Sequence, residues 1–198
     1  RFVVGVVTQP DKPVGRKKVI TKPPVKKEAL SHDILVLQPK TLKDKEVVKE
    51  LEELDADIFV VAAYGNILPQ LVLDIPKKGC LNVHGSILPY YRGASPIQTA
   101  LLNGDEKTGV TIMVMDAGMD TGGMLTVEET SISLKDTSQT LHDRLAKMGS
   151  KLLIETIPGY ISGKIKPEQQ DNTKATLCKL IKKEDGRIDW NKPALKIF

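Results

Sequence analysis

Short apolar runs alternate with segments of helical spacing along this chain, and that alternation limits the folds open to it. Residues 1–8, 34–37, 57–63, 80–83, 110–115 and 125–132 read as strands, rich in Val, Ile and Leu. Between them, 25–31, 43–54, 69–73, 95–102 and 136–157 read as helices; Val47, Val48, Leu51 and Leu54, for example, fall on one helical face. After Pro158 the chain turns irregular and polar. Strands alternating with helices predict an α/β fold, a mainly parallel sheet with helices on both faces. In such a sheet ligands bind beyond the carboxyl ends of the strands, so chemistry is sought where strands run into loops.

Composition removes several function classes. Apolar residues make up 40% and charged residues 27% of 198, which suits a folded chain that needs no disulfide staples. The longest apolar runs, Phe2–Val7 and Ile58–Ala63, fall far short of the roughly 20 residues of a membrane span. Two cysteines without a C-x-x-C pair exclude a disulfide framework and a zinc ribbon and fit a reducing cytoplasm. His32, His84 and His142 are scattered without metal-ligand spacing, so no metal is expected. There is no G-x-G-x-x-G after a strand, no G-x-x-x-x-G-K-[ST] and no G-x-S-x-G. Cys80 sits in an apolar strand and reads as inert core. Arg1 opens inside a strand-like run and Lys196–Phe198 reads as the middle of an element, so both ends are expected to continue.

Charge is concentrated in one place. Seven cations lie between Gln9 and Lys27 and only Asp11 opposes them, a local charge of +6 in a chain of net +4. Pro10, Pro13, Gly15, Pro23 and Pro24 share that stretch, whose first part is expected to be a mobile loop rather than a helix or strand. A basic loop on a near-neutral body suits a polyanion partner, through counterion release. A solvated lysine loop with no partner accounts for the charge equally well.

Two polar clusters carry candidate chemistry. Asn82 and His84 are two residues apart in a strand, so both project to one face while Val83 packs on the other. An amide and an imidazole side by side can donate to a developing oxyanion; a structural pair satisfying nearby backbone fits the spacing as well. The second cluster is Asp116–Gly123, three glycines with two acids between them. If its strand neighbours that of His84, one of these carboxylates can meet and orient the imidazole. A turn whose aspartates cap backbone N–H groups is the simpler reading.

The order of motifs adds more. Leu81–Ile97 carries N-x-H, then Ser86-Ile87-Leu88-Pro89, then Arg92-Gly93-Ala94-Ser95-Pro96-Ile97; downstream come Gly109–Met113 and Met115–Gly122. This set resembles the signature of the folate-dependent formyltransferases. Thr8–Arg16, Ala63–Pro69 and Gly186–Trp190 resemble the branch that acts on aminoacylated tRNA. Ile87 stands where the family usually has Leu, Tyr90 where relatives often carry a basic residue, and Gly123 where an Asp is common.

The resemblance implies a Rossmann-like formyltransferase fold lacking its first strand and helix. Residues 1–175 would form the catalytic domain, and 176–198 the start of a linker toward a C-terminal tRNA-binding domain. It implies a cytoplasmic, monomeric enzyme that transfers a formyl group from 10-formyltetrahydrofolate to the α-amino group of methionine on initiator tRNA. Asn82 and His84 would stabilise the oxyanion, and Asp120 would complete the triad and help remove the ammonium proton. Tyr64, Gly65, Ile67, Ser86, Ile87, Leu88, Pro89 and Asp116 would hold the folate. Arg16, Lys17, Lys18 and Arg92 would meet the tRNA. Formyl transfer to a small amine (glycinamide ribonucleotide or an amino sugar nucleotide) is the rival, and a non-catalytic folate- or RNA-binding module the third possibility.

Overall fold

The computed structural model describes residues 3–197. Arg1, Phe2 and Phe198, at the ends of two expected elements, lie outside the described residues. In chain order the first half comprises β1 (Val6–Val7), β2 (Lys12–Val14), β3 (Val19–Thr21), α1 (Pro24–Ser31), β4 (Val36–Leu37), α2 (Lys45–Glu53), β5 (Phe59–Val61) and α3 (Gln70–Leu73). The second half comprises β6 (Cys80–His84), β7 (Arg92–Gly93), α4 (Pro96–Asn103), β8 (Lys107–Val114), β9 (Met124–Ser131), α5 (Ser138–Ile161), β10 (Leu177–Cys178) and α6 (Ala194–Ile197).

The α/β layering is the expected one. β1 pairs parallel with β4, and a four-stranded sheet has the order β5-β6-β8-β9. The two sides of β6 face different helices, as the period of two in a strand requires. Cys80 packs with Leu51, Val72 and Leu73 of α2 and α3. Val83 packs with Val110, Ile112, Leu141 and Leu145, joining β8 to α5. Helices therefore cover both faces. α5 approaches closely because residue 149 is Gly: a Cβ there would stand 2.7 Å from Val83 Cγ1.

The sheet is parallel only in part. β5 runs parallel to β6, whereas β6 with β8 and β8 with β9 are antiparallel. The connection from β8 to β9 is a short glycine-rich turn, too short for the crossover that a parallel pair needs.

Three further differences have local causes. The first part of the basic segment is not a loop but a hairpin: β2 and β3 pair antiparallel, Lys12 opposite Thr21. Gly15 (φ 73) and Lys18 (φ 48) take the left-handed conformations that close its turn. Its base is tied down by Asp11, which accepts from Lys26 at 2.9 Å and from Gln38 at 2.8 Å. Helix α5 continues past Pro158 to Ile161. Proline removes one N–H there, but its carbonyl still accepts from Ser162, and the Tyr160 hydroxyl donates to the Lys78 carbonyl at 2.7 Å. Finally, residues expected to begin a linker make contacts of their own: β10 pairs parallel with β7, and Ile181 N donates to Ser95 Oγ.

Asp136 fixes the start of α5. Its carboxylate accepts from Arg144 Nη2, Ser133 N and Thr140 Oγ1. The Arg144 hydrogen bond, with that from Ser133 N–H, holds its pKa down at about 2, from an ordinary 3.8. A depressed folded-state value means stability present above the unfolded pKa and lost as pH falls toward the folded one. Asp136→Asn should therefore melt at a lower temperature than the parent protein at pH 7, with the gap closing between pH 4 and 2. Thermal melts of both proteins across that range check this.

Candidate active site

The antiparallel pairing of β6 with β8 decides where the glycine-rich cluster lies. Leu81 stands opposite Val114 and His84 opposite Thr111, so the turn after β8 begins beside the start of β6, where Met115 N donates to Cys80 O. The turn then crosses the face of the sheet onto which Asn82 and His84 project. Asp120, at φ 53, points its carboxylate back to them.

Three side chains converge there. Asn82 Nδ2 lies 3.3 Å from Asp120 Oδ1 and donates to it. His84 Nδ1 lies 3.7 Å from Asp120 Oδ2. Gly93 N donates to that same Oδ2 at 2.8 Å, a charge-assisted bond that fixes the carboxylate. The imidazole is 5% exposed, and its Nε2 sits 3.0 Å from the Tyr91 carbonyl. A carbonyl cannot donate, so Nε2 carries the hydrogen and Nδ1 is the ring atom turned toward Asp120.

The loop between His84 and Arg92 is held from β8. Thr111 Oγ1 donates to Ser86 O at 2.7 Å and accepts from Leu88 N at 3.1 Å. Ser86 is fully buried, and its hydroxyl donates to Tyr90 O at 2.6 Å. Its side chain therefore shapes this loop, as do the backbone groups of Ile87, Leu88 and Pro89. Asp116 closes its own turn, accepting from Gly118 N at 3.0 Å and Thr121 Oγ1 at 2.7 Å. Tyr64 and Gly65 follow β5 at the same end as His84, because β5 and β6 are parallel. Ile67 in that loop is 89% exposed and Met119 is exposed too, which leaves apolar surface on both loops.

The cations expected to meet the tRNA lie at different depths. Arg16, Lys17 and Lys18 form the exposed tip of the β2–β3 hairpin. Arg92 is 6% exposed and turned inward, donating from Nε and Nη2 to Gln170 Oε1 and from Nη2 to Asn172 Oδ1. It lies away from the hairpin surface, behind the loop that carries Asp120. Lys26 is also withdrawn, paired with Asp11 and Gln38.

Several residues of the site carried no sequence signal of their own. Thr111 reads as one more residue of an apolar strand. Gly93 and Cys178 meet only because β7 and β10 pair. Gln170 lies in the polar stretch after Pro158, where its spacing announces nothing. Burial pushes the Cys178 thiol up, and that of Cys80 up to about 12, so neither is a ready nucleophile. Among the described residues no group of His, Cys, Asp and Glu could hold a metal ion, and no helix is long and apolar enough to cross a membrane.

Comparison with known proteins gives consistent matches. The sequence profile of the family described as formyl transferase matches residues 2–157. The methionyl-tRNA formyltransferase of Bacillus velezensis is 52% identical over 196 residues, which is 99% of this chain and 62% of that protein. Its Bacillus licheniformis counterpart is 53% identical with the same coverage. The chain thus spans about 62% of the length of these relatives. Among crystal structures, a formyltransferase from Anoxybacillus kamchatkensis, solved with a UDP-linked formamido sugar and tetrahydrofolate, is 26% identical with a TM-score of 0.66. That match covers 96% of this chain and 95% of that one. Phosphoribosylglycinamide formyltransferase from Bacillus halodurans is 31% identical with a TM-score of 0.60, over 66% and 72% of the two chains.

The clamp on Asp120 makes a direct prediction. Gly93 has φ 121, and a Cβ there would lie 2.3 Å from the Cys178 carbonyl oxygen. Gly93→Ala should destabilise the protein by about 2–4 kcal/mol, from overpacking and left-handed strain together. Urea unfolding of the two proteins measures it.

Proposed function

The chain belongs to the formyl transferase family, and we propose that it transfers a formyl group from 10-formyltetrahydrofolate to the α-amino group of methionine on initiator tRNA. One observation carries the reaction type: Asn82, His84 and Asp120, from two separate segments, meet at one point on the sheet. Two more support the acceptor: the cationic hairpin tip, and relatives about half identical that are named for methionyl-tRNA.

The residues present fit a folate. Exposed Ile67 and Met119, with half-buried Tyr64, offer apolar surface to a flat bicyclic ring beside the polar triad. When bound, the folate supplies an activated formyl carbon. The rest falls to the chain. Attack by an amine puts negative charge on the formyl oxygen, so the site must present donors there. Asn82 Nδ2 is one; His84 Nδ1, in the protonated ring, is the other. The Tyr91 carbonyl keeps Nε2–H in place, so the ring turns Nδ1 and no other edge inward. Asp120 balances the imidazolium charge and orients the Asn82 amide. It also accepts a proton from the incoming ammonium, directly or through one water, because only the neutral amine attacks. As the old C–N bond breaks, the second proton of the attacking nitrogen would pass, directly or through one water, to the departing nitrogen.

Arg16, Lys17 and Lys18 supply a sequence-independent grip on phosphates. A hollow of about 420 Å³ between the hairpin and the start of α1 adjoins that tip; its lining is mainly apolar, from Pro10, Val14, Pro23 and Pro24, with Lys12, Lys22 and Lys27 beside them. The reading includes a cytoplasmic monomer, with 176–198 leading toward a further tRNA-binding domain and β10 docked on the catalytic body.

His84→Ala should lower kcat by about 10²–10³-fold, the cost of losing one oxyanion donor, with folate affinity retained. Single-turnover formylation of methionyl-tRNA checks it, and unchanged turnover would remove His84 from the chemistry. Charge reversal of Arg16, Lys17 and Lys18 together should raise KM for tRNA at least tenfold and flatten its salt dependence. A preference for glycinamide ribonucleotide or an amino sugar nucleotide, untouched by that reversal, would instead assign a small acceptor.

A further inference from the structure

Asp120 occupies a left-handed conformation (φ 53) that a side chain adopts at some cost. Something must therefore hold the backbone there, and the Gly93 N–H restrains only the carboxylate. The peptide carbonyls of the loop are held by one side chain. Gln170 Nε2 donates to Asp120 O at 2.8 Å and to Gly122 O at 2.7 Å, bracketing the residue whose carboxylate faces His84. Gln170 is 4% exposed and comes from the segment after α5, fifty positions along the chain.

The direction of that amide is set in turn. Its oxygen accepts from Arg92 Nε at 3.0 Å and Nη2 at 2.7 Å. A guanidinium has only donors, so the oxygen must face Arg92 and the NH₂ must face the loop. Both amide hydrogens and both oxygen lone pairs are then used. Arg92 belongs to β7, whose next residue is Gly93, the donor to the Asp120 carboxylate. Main chain and side chain of Asp120 are thus referred to the same two-residue strand, one link direct and one through Gln170. That strand is itself locked to β10 and, through Tyr91 O, to His84.

From this arrangement we infer that Gln170 is a positioning residue for formyl transfer, oriented by Arg92 and acting through Asp120. The inference rests on the function proposed above. Arg92 enters this reading as the group that orients Gln170.

The test uses the full-length protein and two backgrounds. In the parent protein, Gln170→Ala should lower kcat by about 10–100-fold, the scale expected for misplacing a reacting group by an ångström, and leave KM for folate and for tRNA within twofold. In an Asp120→Asn background the same change should cost less than twofold, because the group it positions is already disabled. Hydrogen–deuterium exchange of the peptide covering 115–123 should quicken in Gln170→Ala. Gln170→Glu serves if the alanine variant does not fold, since a carboxylate keeps the Arg92 contact and loses both donors to the loop. Equal losses in both backgrounds, an unchanged kcat, or unchanged exchange in 115–123 would overturn the assignment. If the parent protein fails to formylate methionyl-tRNA, the proposed function fails on its own, and the exchange measurement still decides whether Gln170 holds the loop.

Discussion

The antiparallel register between β6 and β8 is the constraint on which the site depends. Had β8 run parallel to β6, its following turn would have emerged at the His84 end and risen above the sheet. Running antiparallel, it emerges at the far end and must fold back across one face. That return brings a carboxylate over the strand onto which Asn82 and His84 project, and it leaves the opposite face free for α5 to cover. One pairing thus places the polar cluster at the His84 end of one face and the α5 contact on the other. It also explains the glycines of 118–123, since a turn laid flat on a sheet has little room for side chains. A Cβ on Gly122 would stand 1.8 Å from the Val114 carbonyl.

Much of the layering was legible in the residues, because the signals were strong and local. The apolar runs of β5, β6 and β8 and the one-sided faces of α2 and α5 placed these elements within a few residues. What was not legible depended on partners far away in sequence. β7 is two residues long, and Arg92-Gly93 has no strand character until Leu177-Cys178 arrives beside it. The hairpin was hidden by its own lysines and prolines, which read as loop, although Gly15 marks its turn. Pro158 reads as a helix end, yet Tyr160 anchors the last turn of α5 to the Lys78 carbonyl. The motif residues Asn82, His84 and Asp120 could be named in advance; the geometry that joins them could not, because strand direction is not written in hydropathy.

Charge is divided by depth. Arg16, Lys17 and Lys18 are exposed at the hairpin tip, where water screens them and a polyanion can displace their counterions. Among the described residues, the buried guanidinium of Arg92 donates to amide oxygens, those of Gln170 and Asn172. A buried cation satisfied by neutral acceptors leaves the carboxylate of Asp120 uncommitted to it, so that the acid answers to His84, Asn82 and the Gly93 N–H alone. Placing an Asp or Glu where Gln170 stands would set a competing anion behind the site.

The anchoring of the hairpin has a practical side. Lys12 and Thr21 sit directly across from one another, so the chain enters and leaves the ribbon at neighbouring points. Below that level, Gln9, Asp11, Lys26 and Gln38 form a closed set of contacts, and Gln9 Nε2 also donates to the Tyr64 carbonyl beside the reactive face. The stretch from 13 to 20 is therefore a cassette. Its length and polarity can change, with the seam at residues 12 and 21, while the contacts of Asp11, Lys26 and Gln38 beneath it stay in place.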